Sequence, residues 1–301
     1  MATSDVDPVS GPSKGGFRQS VDDFCTFIYN GETGEICGRT GKSWALITIF
    51  YIVFYGFLSS FFIATIAVFY TTVDEHSPVL QGGSSLLKDS PGLGYRPRPN
   101  YESTLIRFNK GDASMDKYVN NIKSFLSHYN TTKYDSRYEN CETISGERET
   151  NKHKPCLFDP LALQAPCLHE PDYGYKNGTP CVLLKLNKIF DWIPRPYTNE
   201  TVPVEAKDNW DNYHITVKCH GERQADIENL GPVNYYPKHG FPIKYFPFLN
   251  QPGYHAPIVV VQFMKPTRGF LVMVECKAYA ENIVIDKLHR LGLVHFELLV
   301  D

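Results

Sequence analysis

One uninterrupted apolar stretch limits what this chain can fold into. Residues 44–70 read WALITIFYIVFYGFLSSFFIATIAVFY and contain no charged side chain. As an α-helix rising ~1.5 Å per residue, the stretch is about 40 Å long, whereas the hydrocarbon core of a bilayer is about 30 Å thick. A buried helix of a soluble protein rarely runs so far without a polar face. The sequence therefore predicts one transmembrane helix over 44–70, in contact with the lipid bilayer.

The charges beside this span predict its orientation. Arg39 and Lys42 precede the span, whereas Asp74 and Glu75 follow it. By the positive-inside rule, the N-terminus is then cytoplasmic and the C-terminus extracellular. A polar segment precedes the apolar run, which is unlike a cleavable signal peptide, so we expect a retained signal anchor. The prediction is a single-pass type II membrane protein made in the endoplasmic reticulum.

Cysteines and glycosylation sequons after the span agree with this orientation. The sequons begin at Asn130, Asn177 and Asn199, and Pro180 counts against use of the second. An even set of six cysteines indicates a disulfide framework in an oxidising compartment. Six cysteines allow about fifteen pairings. Their order along the chain favours bonds between neighbours: Cys141–Cys156, Cys167–Cys181 and Cys219–Cys276.

Composition divides the chain into four segments, of which the span is the second. Residues 1–43 are rich in Gly, Ser and Asp, so we expect a mostly disordered cytoplasmic tail in which Cys25 and Cys37 are reduced thiols. Residues 71–113 include a Gly- and Pro-rich part that predicts an extracellular stalk. Residues 114–301 are long enough for one core and form the predicted disulfide-bonded, glycosylated ectodomain.

Hydrophobic periodicity in the ectodomain predicts one helix and several strands. Apolar residues at spacings of three and four predict an amphipathic helix over 114–129, with Ser114 as its N-cap. Residues 265–269 resemble a hairpin turn between two strands. Short apolar runs predict strands over 182–186, 213–219, 258–264, 270–276 and 294–300. This pattern indicates an antiparallel β-sandwich with an added helix.

Motifs for catalysis and metal binding are weak. Residues 11–15 match the Gly-x-Ser-x-Gly string, but no strand is predicted before it and no helix after it. We find no phosphate-binding loop, no His-Glu-x-x-His motif and no Asp-x-Asp motif after the span. A formal net charge of −3 gives no reason to expect a nucleic-acid partner. We therefore expect no catalytic residue, no metal site and no cofactor, which argues against a type II membrane enzyme.

Two faces of the predicted span favour a protein partner. Tyr51 and Tyr55 lie one helical turn apart, and a phenol in hydrocarbon requires a hydrogen-bond partner. Gly56, Ser60 and Ala64 recur at helical spacing and would let another helix approach closely. We expect the tyrosines to face a helix of another protein.

Several motifs in this order resemble the β subunit of the Na⁺/K⁺-ATPase. They are FYIVFYGFLSSFF, PGLGYRPRP, YGYKNGTPCVLLKLNKI, GFPIKYFPF, VVVQF and VECKAYAENI. The β subunit of the H⁺/K⁺-ATPase is a close relative, but the Cys-Lys-Ala-Tyr-Ala-Glu-Asn run favours the sodium pump. The loop between Cys141 and Cys156 is shorter than in vertebrate relatives, and the sequons lie elsewhere, so the chain looks invertebrate-like.

The resemblance implies a non-catalytic subunit with an immunoglobulin-like ectodomain and three consecutive disulfides. Such a subunit accompanies the catalytic α subunit to the plasma membrane, stabilises it, tunes potassium affinity and can mediate cell adhesion. A small regulatory single-pass subunit is a further candidate partner. Contacts with α are expected from Tyr51, Phe54, Tyr55, Gly56, Tyr245, Phe246, Pro247, Phe248, Val261, Gln262, Phe263, Tyr279, Glu281 and Asn282.

Two alternatives to the sodium-pump subunit stay open at this point. One is the H⁺/K⁺-ATPase β subunit. The other is an adhesion or receptor-type single-pass glycoprotein that acts without a pump. This second protein would have the same topology, glycans and sandwich, but it would not need the aromatic span.

Overall fold

The chain forms two units, which we describe separately. The computed structural model describes residues 17–31, 33–85, 89–129, 136–148 and 153–301. The first unit is Met1–Val73 and the second is Asp74–Asp301. The elements of the first unit are α1 (Phe17–Ile28), β1 (Tyr29–Asn30), β2 (Glu35–Ile36) and α2 (Gly41–Thr72).

Helix α2 contains the predicted membrane span and extends it at both ends. Among the described residues it is the helix long and apolar enough to cross a membrane. None of its side chains is buried within the chain. A helix that is apolar on all sides is stable only where lipid or other protein surrounds it. The prediction of a single membrane helix is confirmed.

The N-terminal tail is more ordered than its composition predicted. Helix α1 precedes a small antiparallel pair of β1 and β2, and this pair leads into α2. The expectation of disorder is therefore wrong for the part from Phe17 onwards, while residues 1–16 lie outside the described residues. The missed signal is the spacing of Val21, Phe24 and Ile28, which fits one helical face. Cys25 and Cys37 are exposed free thiols.

The second unit is a β-sandwich with added helices. Its strands are β3 (Leu93–Arg96), β4 (Leu105–Phe108), β5 (Cys181–Leu186), β6 (His214–Gly221), β7 (Val233–Tyr236), β8 (Phe241–Pro242), β9 (Ile258–Phe263), β10 (Val272–Tyr279) and β11 (Leu293–Val300). Its α-helices are α3 (Asp116–Ser127), α4 (Pro166–His169) and α5 (Gln224–Leu230). Short 3₁₀ helices cover Gly82–Ser84, Ala113–Met115, Pro160–Leu163, Val204–Asn209 and Ile243–Tyr245.

Two sheets enclose the core. One sheet has the order β4-β11-β10-β6-β8 and the other has the order β3-β5-β9-β7. All neighbouring strands are antiparallel except β4 and β11, which are parallel. Phe296 of the first sheet stacks on Tyr95 of the second at 4.9 Å and meets the edge of Phe263 at 6.0 Å. The predicted sandwich is confirmed, with one parallel pair added.

The predicted hairpin over residues 265–269 is wrong. Strand β9 pairs with β5 and β7, whereas β10 pairs with β6 and β11 in the other sheet. The turn therefore carries the chain from one sheet to the other. Gly269 donates its backbone N–H to the carbonyl of Val300, which fixes the turn against the end of β11. The local turn residues gave no information about which strands would pair.

The predicted stalk over 71–113 is too long, because strands β3 and β4 lie within it. Each forms the edge of one sheet, and Leu93, Tyr95, Ile106 and Phe108 are buried. The prolines after β3 are compatible with an edge strand, where a missing N–H costs no ladder bond. At residue 90 the chain is already fixed, since the Ser90 hydroxyl donates to the Val284 carbonyl and accepts from its N–H.

Helix α3 begins at Asp116, and Ser114 is not its N-cap. The preceding 3₁₀ turn is capped by Asp112, whose carboxylate accepts from the Ala113 N–H. The Ser114 hydroxyl instead accepts from the backbone N–H of Asn109 at 2.9 Å. The predicted apolar face does reach the core through Tyr118 and Ile122.

Three disulfides link neighbouring cysteines along the chain. The bonds are Cys141–Cys156, Cys167–Cys181 and Cys219–Cys276, and all six residues are buried. The third bond joins a register pair of β10 and β6 within one sheet. In antibody domains the conserved disulfide crosses between the two sheets. This sandwich therefore differs from the immunoglobulin pattern in how its two central strands are cross-linked.

Candidate subunit-binding surfaces

Four aromatic side chains form a ladder along α2. Tyr51 stacks on Tyr55 with ring centroids 5.9 Å apart, and Phe50 stacks on Phe54 at 6.1 Å. Edge contacts of 5.5 Å and 5.3 Å join the two stacks. These are favourable aromatic distances. The chain itself leaves the ladder uncovered, since Tyr51 is 49% exposed and Tyr55 is 56% exposed.

The two phenols of this ladder have no hydrogen-bond partner among the described residues. Other hydroxyls of α2 are satisfied within the helix. Thr48 donates to the carbonyl of Trp44 at 2.9 Å, and Ser60 donates to that of Gly56 at 2.8 Å. Since an unsatisfied polar group in hydrocarbon is costly, a second molecule must supply acceptors for Tyr51 and Tyr55.

A stripe of small residues lies on the opposite side of α2. At about 100° per residue, the mean direction of Gly56, Ser60 and Ala64 is about 160° from that of Tyr51 and Tyr55. Apart from the backbone of α2 itself, no described atom lies within 4 Å of the position that a Cβ of residue 56 would take. Gly56 therefore belongs to a different face from Tyr51, Phe54 and Tyr55, and the two faces can bind two different helices.

The aromatic segment 245–248 is only partly available to a partner. Phe246 and Pro247 are buried, and the ring of Phe246 packs against the ring of Trp192 at 5.6 Å. Tyr245 and Phe248 are half-buried, so each presents part of its ring to the surface. The expected contact of Phe246 and Pro247 with a partner is therefore corrected: these two residues hold the segment in place.

The three residues predicted from the VVVQF motif lie inside the sandwich. Val261 and Phe263 are fully buried and Gln262 is 5% exposed, because β9 is paired on both edges. Their side chains are not available to a partner in this structure. An apolar strand motif fits a core strand as well as an interface, and the core interpretation is correct here.

The segment after β10 is a surface held by hydrogen bonds. Asn282 accepts from the Arg195 N–H at 2.9 Å and donates to the Ile193 carbonyl at 2.8 Å. Tyr279 is buried and donates to the Glu205 carboxylate at 2.9 Å. Burial, reinforced by this hydrogen bond, raises the pKa of Tyr279. Glu281 is exposed and Asn282 is half-buried, so Glu281 presents the most side chain to a partner in this predicted set.

We expect Asn282→Ala to destabilise the second unit by about 2 kcal/mol, because two intramolecular hydrogen bonds are lost at about 1 kcal/mol each. Glu281→Gln should change stability by less than about 0.5 kcal/mol, as for other surface substitutions. Urea unfolding of the full chain in detergent measures both variants. Equal stability of the two variants would contradict a positioning role for Asn282.

Sequence reasoning missed the apolar surface that follows Asn282. Val284 and Leu288 are 59% and 85% exposed. Beside them is a groove of about 670 Å³, lined partly by Ser90, Asn187 and Val284. The signal was the cluster of aliphatic residues over 283–288, which continues past the predicted motif without strand alternation.

The predicted glycosylation sites differ in what the structure shows. Asn199 is exposed in a turn closed by Thr198 and Thr201, whose hydroxyls lie 3.0 Å apart. Asn177 is also exposed, and its side chain donates to Glu170 at 3.3 Å. Asn130 lies outside the described residues. Within the described part of the chain, no group of three or more His, Cys, Asp and Glu residues could hold a metal ion.

Known proteins resemble this chain over nearly its whole length. The family model described as "Sodium / potassium ATPase beta chain" matches residues 14–296. A Caenorhabditis briggsae protein named "Probable sodium/potassium-transporting ATPase subunit beta-3" is 41% identical, over 92% of this chain and 86% of its own length. Drosophila melanogaster "Sodium/potassium-transporting ATPase subunit beta-2" is 36% identical, over 98% of this chain and 94% of its own length. Tetronarce californica "Sodium/potassium-transporting ATPase subunit beta-1" is 31% identical, over 91% of this chain and 94% of its own length.

Proposed function

The chain belongs to the sodium/potassium ATPase beta chain family, and from this premise we propose that it is the non-catalytic β subunit of a Na⁺/K⁺-exchanging P-type ATPase. The ATP site and the ion ligands then belong to the catalytic α subunit. The relatives named above are all subunits of sodium/potassium pumps, which favours this pump over the H⁺/K⁺-ATPase.

The uncovered aromatic ladder of α2 is the observation that carries this proposal. Tyr51 and Tyr55 would donate hydrogen bonds to a helix of α, while Phe50 and Phe54 fill the contact around them. The stripe of Gly56, Ser60 and Ala64 is then free for a second helix, either of α or of a small single-pass subunit. One anchored helix therefore suffices to hold a larger membrane protein.

The second unit would bind the outer loops of α through Tyr245, Phe248 and Glu281. We place this unit outside the cell, because three buried disulfides require an oxidising compartment. A surface that binds one conformation of the pump better than another shifts their populations and so changes potassium affinity. The same contacts would let the chain leave the endoplasmic reticulum with α and reach the plasma membrane.

We expect the double change Tyr51→Leu and Tyr55→Leu to lower recovery of α with this chain by about tenfold. Loss of two interhelical hydrogen bonds and of ring packing amounts to about 1–2 kcal/mol. The variants are co-expressed with α, solubilised in mild detergent and purified through a tag on this chain. The corresponding Tyr→Phe double variant keeps the rings and should lose about threefold.

Tyr70→Leu is the matched control, because Tyr70 is 71% exposed. At about 100° per residue, it lies about 130° from the mean direction of the four ladder residues and about 80° from that of the small-residue stripe. This control should leave recovery of α unchanged. Full recovery of α with the leucine double variant would show that the aromatic ladder is not needed to bind α. Expression of the chain without α distinguishes the adhesion alternative: a chain that reaches the cell surface alone would contradict the pump-subunit proposal.

A further inference from the structure

A group of cations without acidic partners lies beside strands β3 and β5. Arg96, Lys185 and Lys188 form no ion pair with any carboxylate among the described residues. By contrast, Lys277 and Lys287 are paired: their Nζ atoms lie 3.0 Å and 2.9 Å from the carboxylate of Glu275. The chain has a net charge of −3, so this cluster does not reflect a general excess of positive charge.

Aromatic rings fix the positions of these cations. The Arg96 guanidinium and the Lys185 ammonium lie 5.9 Å and 5.7 Å from the centroid of the same ring, that of Phe125 in α3. Lys188 lies 4.8 Å from the centroid of Phe248. A ring face attracts a cation but carries no formal charge, so the three positive charges stay uncompensated.

The cations line one groove. The groove has a volume of about 270 Å³ and includes Gly94, Arg96, Lys185 and Lys188. Gly94 is the register partner of Lys185 across β3 and β5. Since Gly94 has no side chain, the groove stays open beside Lys185.

Burial and neighbouring positive charges lower the pKa of basic side chains in and beside this cluster. Burial lowers the pKa of Lys185, and the neighbouring charges of Lys188 and Arg96 lower it further. Burial and the charges of Lys188 and Lys185 likewise lower the pKa of His255. A bound anion would relieve this repulsion, so the groove is electrostatically suited to a negative ligand.

We propose that this groove binds a sulfated polysaccharide, an interaction that goes beyond the pump-subunit function. Arg96 pairs with Leu183, two residues before Lys185, and Lys188 follows Lys185 by three residues, so the cations are spread along the direction of β5. A row of cations fits the repeated sulfate and carboxylate groups of an acidic glycan chain. The disulfides indicate an oxidising compartment, where proteins also carry glycans, so an acidic glycan is the polyanion that we assign to the groove.

The test compares Gly94→Asp with Gly94→Ala in the full chain, purified in detergent and titrated with heparin. A Cβ at residue 94 would lie 3.7 Å from its nearest neighbour, the Lys185 carbonyl oxygen, which is ordinary contact. Both variants should therefore fold. We expect Gly94→Asp to weaken heparin binding by roughly tenfold or more, since it puts a carboxylate among the cations. Gly94→Ala should bind within about twofold of the unmodified chain.

Lys185→Gln should also weaken binding by several-fold. Lys207→Gln is its matched control, because Lys207 is an exposed cation on the 3₁₀ helix Val204–Asn209. Absence of heparin binding by the unmodified chain would overturn the proposal, as would an equal loss from Lys207→Gln or an undiminished affinity of Gly94→Asp. Equal affinity for desulfated heparin would overturn the assignment to sulfate. The assay does not need α, so its result is independent of the pump-subunit proposal.

Discussion

Replacing both Cys219 and Cys276 by alanine is expected to lower the free energy of unfolding of the second unit by about 4 kcal/mol. The bond closes a loop with a sequence separation of 57 between β6 and β10. The other two bonds close loops with separations of 15 and 14. In the chain-entropy account, a longer loop restricts the unfolded chain more, so each shorter loop contributes about 3 kcal/mol.

Urea unfolding of the full chain in detergent, followed by tryptophan fluorescence, measures this loss, because Trp192 is buried in the second unit. Alanine at both Cys25 and Cys37 is the matched control, because these thiols are exposed and unbonded. We expect no change in the unfolding of the second unit from the control. If Cys141→Ala with Cys156→Ala lowered the free energy of unfolding more than the loss of Cys219–Cys276 does, loop length would not determine how much each disulfide contributes.

Apolar patterns predicted β5, β6, β9, β10 and β11 of the second unit, but not the four shorter strands β3, β4, β7 and β8, and not which strands pair. Strands β5, β9 and β11 lie within one residue of their predicted bounds, because runs such as 258–263 are buried on both faces. Alternation reports which side chains are buried and contains no information on the neighbouring strand. This is why the turn after β9 was interpreted as a hairpin, although it connects the two sheets.

The partner-binding surfaces could likewise be predicted only in part. The faces of α2 follow from helical spacing alone, since the positions of Tyr51, Tyr55 and Gly56 on the helix depend only on their separation. In the second unit, motif similarity did not distinguish residues that a partner can contact from residues that are buried or that stabilise the surface by hydrogen bonds within the chain. Gln262 is buried, and Asn282 forms hydrogen bonds within the chain. Both facts depend on distant segments of the chain.

Glu275→Ala is expected to destabilise the second unit by about 3 kcal/mol, because it breaks a buried charge cluster. The Glu275 side chain is 2% exposed, with Lys277 and Lys287 at 3.0 Å and 2.9 Å. The Lys277 side chain is only 14% exposed, so its ammonium would be left without a partner in a poorly hydrated site. His220 Nε2, at 3.7 Å, adds a third basic group on the neighbouring strand β6.

The same cluster makes stability depend on pH in a defined direction. Burial alone would raise the pKa of Glu275, but the hydrogen bonds from Lys287 and Lys277 outweigh it and hold the pKa below its usual value of 4.5. The folded state therefore favours the ionised carboxylate. Its contribution is complete above about pH 4.5 and is lost as the pH falls through the lower pKa of the folded state.

Glu275→Gln isolates this effect, because glutamine keeps the shape of the side chain and does not titrate. Other carboxylates with lowered pKa, including Asp211 and Glu297, titrate in both proteins, so their effects cancel in the comparison. The difference in unfolding free energy between the two proteins should shrink as the pH falls from 6 to 3. Lys287→Gln should cost less than about 1 kcal/mol, since that side chain is 66% exposed. A difference that stays constant over this range would mean that Glu275 is not stabilised as a carboxylate, and the cluster would then be a packing feature of β10 with no electrostatic role.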